Sequence, residues 1–95
     1  MTREEAKRII QREGLYNYNL FENRSNEENE VGICKKNGGC TVYITSERAG
    51  IIAGTERFFD NESDALENFI ERLRLGKEID EIEKRRKERA KRQKQ

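Results

Sequence analysis

The chain has 95 residues, of which 33% are hydrophobic and 41% charged, so a single small domain must gather its apolar side chains into part of its length. Twenty basic residues against nineteen acids give a net charge of +1, but residues 84–95 hold eight basic residues and one acid, which leaves residues 1–83 at −6. Histidine is absent and there are two cysteines, which excludes a histidine-based triad, a histidine acid–base pair and a four-ligand structural zinc site.

Thr2 followed by Glu5 forms a capping box, and Ala6, Ile9 and Ile10 then recur at helical spacing up to Gly14. This predicts a helix over residues 3–13, stopped by a left-handed glycine. Alternation through Tyr16, Tyr18 and Leu20 predicts a strand of about six residues. Residues 22–30 (ENRSNEENE) carry no apolar side chain and are expected to be an exposed acidic loop.

Two apolar runs, 31–36 and 40–44, flank Asn37-Gly38, the dipeptide that favours a two-residue hairpin turn. Such a turn pairs Lys36 with Gly39, Ile33 with Val42 and Val31 with Ile44, which keeps the apolar residues on one face. In that register Cys34 opposes Thr41 and Cys40 opposes Lys35, so the two thiols point to opposite faces and stay reduced. A turn at residues 46–50 leads to an expected strand over 51–59, with Gly54 as a bulge. Asn61 or Ser63 caps the next helix, whose Leu66, Phe69, Ile70 and Leu73 share one face. The expected fold is α+β over residues 1–83, with an N-terminal helix, a four-stranded antiparallel sheet and a long C-terminal helix. Both helices pack on one sheet face, and Ile9 and Ile10 help Leu66, Phe69, Ile70 and Leu73 to close the core.

Beyond Leu73 the helical pattern changes phase. Leu75, Ile79 and Ile82 fall nearly opposite the core-facing residues. Either Gly76 breaks the helix and the stripe folds back onto the sheet, or the stripe faces a partner or a second copy of the chain. Residues 84–95 form a basic tail, either a helical extension or disordered. Its charges could track phosphates, although no aromatic is interleaved to stack on bases.

Catalysis finds little support. Cys34 and Cys40 have Lys35 and Lys36 nearby but no candidate base. Glu22, Glu27, Glu28 and Glu30 do not follow calcium-loop spacing, so neither a metal nor another cofactor is expected. The longest apolar run, residues 49–53, is too short to span a membrane, and the first ten residues lack the apolar core of a signal peptide. The expected compartment is the cytoplasm.

Three stretches carry a resemblance: Asn29-Glu30-Val31, then Tyr43 to Arg48 (YITSER), then Phe59 to Ile70 (FDNESDALENFI). Together they make residues 2–74 similar to small immunity proteins that accompany polymorphic toxins in Gram-positive bacteria, with the basic tail outside the resemblance. It implies a non-enzymatic antidote that binds a cognate toxin domain, in such systems often a nuclease, and blocks it stoichiometrically. The residues expected to touch the toxin are Glu22, Glu27, Glu28 and Glu30 in the acidic loop and Glu47 and Arg48 in the turn. A different class of reading makes the chain a small nucleic-acid-binding protein working through its basic tail. A third makes it a homodimer built on Leu75, Ile79 and Ile82.

Overall fold

The computed structural model describes the backbone of residues 1–93 and the side chains of residues 1–88. Helix α1 spans Arg3–Glu13. Thr2 Oγ1 accepts from the Glu5 amide at 3.2 Å, and Gly14, at φ 62°, ends the helix by donating its amide to the Ile10 carbonyl. Strands β1 (Tyr18–Leu20), β2 (Val31–Lys36), β3 (Gly39–Ile44) and β4 (Arg57–Phe59) follow, and α2 runs over Glu62–Gln93. The strands form one sheet in the order β1-β2-β3-β4.

The central hairpin has the expected register, with Ile33 opposite Val42 and Val31 opposite Ile44. Asn37 and Gly38 both adopt positive φ, at 49° and 78°. That conformation matches the right-handed twist of the flanking strands. Cys40 lies in the core, Cys34 lies on the other face, and both are free thiols.

Three expectations need correction. The sheet is mixed, because β1 pairs with β2 in parallel. Residues 21–30 carry the chain back to the end of the sheet from which β1 set out, so β2 runs in the same direction. β1 is also shorter than the alternation suggests, since Asn17 and Phe21, at φ 58° and 57°, turn the backbone at both ends. The strand expected over 51–59 is ordered as a strand only from Arg57. Ile51 makes an isolated bridge to Thr45, and residues 52–55 form a turn in which Thr55 Oγ1 donates to the Ile52 carbonyl at 2.7 Å. Gly54, at φ 85°, belongs to that turn and is not a bulge.

Asn61 is the cap of α2, its Oδ1 accepting from the amides of Ser63 and Asp64. Leu66, Phe69, Ile70 and Leu73 of α2 pack with Ala6 and Ile10 of α1 and with Ile33, Cys40 and Val42 of the sheet. Ile9 sits partly buried at the margin of this core. On the other sheet face the Tyr43 ring lies over Gly32, where an added Cβ would stand 2.2 Å from Cζ. Tyr43 Oη donates to Asn26 Oδ1 at 2.9 Å, which ties the 21–30 segment across that face.

Past the core, α2 continues without a break through Gly76. The stripe therefore does not fold back. Leu75, Ile79 and Ile82 stand 57%, 56% and 49% exposed. Three contacts fix the helix where it leaves the body. Arg74 makes a two-pronged ion pair with Glu13, Lys77 Nζ donates to the Glu13 carbonyl, and Tyr16 donates to the Asp80 carboxylate. The basic segment from residue 84 is a helical extension as far as Gln93; residues 94 and 95 lie outside the described part.

Candidate functional site: an acidic edge and its clasp

The acidic loop and the 46–50 turn are brought together at one end of the sheet. Asn29 N donates to the Ser46 carbonyl at 3.0 Å. Thr45 Oγ1 accepts from Glu30 N at 2.8 Å and donates to the Glu27 carbonyl at 2.7 Å. A threonine suits this position because one hydroxyl both accepts and donates. Thr45 is itself buried, so these bonds are shielded from water.

Glu30 departs from the expected role. Its side chain is 2% exposed, and its carboxylate takes Arg24 Nη2 at 2.8 Å, Arg24 Nη1 at 3.2 Å and the Glu27 amide at 2.9 Å. It is therefore an internal anchor and not a contact residue. Arg24 also donates to the Tyr18 carbonyl at 3.1 Å and to Glu22 Oε2 at 2.6 Å. One guanidinium thus closes the loop onto β1. Burial pushes the Glu30 carboxyl up, but Arg24 and the Glu27 amide outweigh it, and its pKa lies below the ordinary value. Glu30, then Glu22, hold the Arg24 guanidinium still more firmly protonated.

With Glu30 folded inward, Glu27 and Glu28 remain exposed on the outside of the loop, beside Glu47 and Arg48 on the turn. Glu22 stands at the loop's other end, its amide capped by Asn19 Oδ1 at 2.8 Å. Glu47 and Arg48 form no salt bridge among the described residues. The turn is instead held by its backbone, with Ser46 N on the Gly50 carbonyl at 2.8 Å and Ala49 at φ 63°.

Between this edge and α2 lies an open groove of about 570 Å³, lined by Tyr16, Asn29, Glu47, Ile79, Asp80 and Glu83 among others. Its Tyr16–Asp80 bond, with Lys84 at 3.3 Å, holds the Asp80 carboxyl below its ordinary range. Arg72, also in the wall, donates to the Thr55 carbonyl at 2.8 Å. Burial, together with nearby Arg57, lowers the Arg72 pKa. The lining sets the acids Glu47, Asp80 and Glu83 beside the bases Arg72 and Lys77. Among the described residues no three His, Cys, Asp or Glu side chains are grouped to hold a metal, and no helix is long and apolar enough to cross a membrane.

Sequence reasoning overlooked Arg24, Tyr16 and Asp80. Arg24 had a signal: it is the only basic residue in the acidic 22–30 stretch. Tyr16 and Asp80 had none, since they meet across 64 positions.

In comparison with known families, the model described as Immunity protein 59 matches residues 2–92. The match extends well past residue 74, so most of the basic segment falls inside the family's span. No curated protein and no solved structure matches.

Proposed function

Since the chain belongs to the Immunity protein 59 family, we propose that this immunity protein neutralises a cognate toxin domain by stoichiometric binding through its acidic edge. Family membership carries this reading, and the exposed Glu27, Glu28 and Glu47 give it a surface. Glu22 and Arg48 extend the contact at either end. Complementary charge speeds encounter and selects partners more than it adds affinity. A nuclease is the toxin class that fits best, because a site built to hold nucleic acid is basic and an acidic antidote can occupy it. Inhibition of this kind needs no catalytic group in the antidote. The bacterial cytoplasm is where such protection would act.

The test is co-expression of the chain with the toxin domain encoded beside its gene, followed by co-purification. Growth should be restored and a 1:1 complex recovered. Reversing Glu27 and Glu28 to lysine should slow association roughly tenfold or more at low salt and flatten its salt dependence. An unchanged association rate removes the loop from the interface. Failure to protect, with both proteins expressed and folded, overturns the assignment to that toxin.

A further inference from the structure

From the exposed stripe on α2 we infer that the protein self-associates, with α2 of one copy packed antiparallel against α2 of a second. The inference is independent of the toxin reading. Leu75, Ile79 and Ile82 are spaced four and three residues apart, the repeat of a helix–helix seam. All three are about half exposed, and the helix beneath them is fixed to the body by Arg74, Lys77 and Asp80. Gly76 stands at the flank of the seam. A glycine in a helix interior costs about 1 kcal/mol relative to alanine, and here a Cβ would meet nothing within 4 Å. Packing within the chain therefore gives no reason for it, whereas a second helix approaching closely does.

Charge selects the occupant and its direction. Glu78 and Arg85 lie on one flank of the seam, and Glu83 lies on the other. An antiparallel pair has its two-fold axis normal to the plane of the helices, so each flank meets itself. With Ile79 of each copy opposite Ile82 of the other, Glu78 comes beside Arg85 of the second copy, twice. A parallel pair joins opposite flanks and sets Glu78 against Glu83, acid on acid. So short a seam implies a weak dimer, in the range of small transient interfaces.

Sedimentation velocity on the full chain, from about 1 to 300 µM, tests this against the expected micromolar range. A concentration-dependent dimer is expected, and Ile79→Asp should leave a monomer. Glu78→Arg and Arg85→Glu should each weaken the dimer roughly tenfold, and the double exchange should restore it. These positions are exposed, so the variants should keep the parent's circular dichroism. A parent that stays monomeric throughout overturns the inference. So does a dimer strengthened by Glu78→Arg alone, which would mean parallel helices, or a double exchange that restores nothing.

Discussion

Glu30 and Arg24 show how one buried charge can organise a surface that it does not join. Replacing Arg24 with methionine leaves the Glu30 carboxylate buried with only the Glu27 amide, which should cost about 2–4 kcal/mol. Glu30→Gln keeps part of the hydrogen bonding and should cost less, about 1–2 kcal/mol. Urea unfolding of both variants at neutral pH checks the order. The pH dependence follows from the lowered Glu30 pKa. The unfolded carboxyl takes up its proton near the ordinary value of 4.5, the folded one only at lower pH. Its contribution is therefore full above that ordinary value and is lost as pH falls through the folded pKa. In Glu30→Gln this part of the acid sensitivity should disappear, leaving a flatter stability curve below about pH 5. None of this was legible in the sequence, where Glu30 is one of four glutamates in a polar run. Burial is decided by where the chain crosses the sheet, and a side chain's identity does not record it. The lone arginine among the acids was the available clue.

At the scale of elements, the pieces with local causes were legible and those with distant causes were not. The hairpin register follows from Asn37-Gly38 and a period-two pattern within the same 14 residues. Both helix starts follow from caps within four residues. By contrast, the direction of β1 depends on how residues 21–30 return, and parallel pairing leaves no mark in the strand itself. The same distinction predicts where substitution is costly. Gly32→Ala would drive a Cβ into the Tyr43 ring and should destabilise by about 1–3 kcal/mol, with loss of the Tyr43–Asn26 bond. Gly76→Ala meets open space in a helix and should stabilise the monomer by about 0.5–1 kcal/mol. Thermal melts of the two variants should therefore move in opposite directions.

For the molecule as a whole, the charge asymmetry maps onto shape. The acidic body and the basic end of α2 occupy opposite ends of a particle 57 Å long and 21 Å thick. Since none of the described residues of α2 from Lys84 on belongs to the hydrophobic core, deleting residues 84–95 should shift the melting temperature by no more than about 2 °C. The truncated chain should still protect against the toxin if the acidic edge is the contact. Affinity for nucleic acid, if the full chain has any, should collapse with its salt dependence. Growth rescue and a salt titration of the same truncation separate these two uses of the chain.

Because β1 joins its neighbour in parallel, it cannot zip up from a tight turn as β2 and β3 do. The hairpin can close within microseconds, while β1 must wait for residues 21–30 to be looped back and held by Arg24. Assembly order and opening order should mirror each other. In native-state hydrogen exchange, the amides of β1 and of the 21–30 segment should open together at a free energy below that of global unfolding. Those of β2, β3 and the first turns of α2 should exchange only when the whole domain unfolds. The surface offered to a toxin would then be a cooperative unit of its own, the last to form and the first to let go.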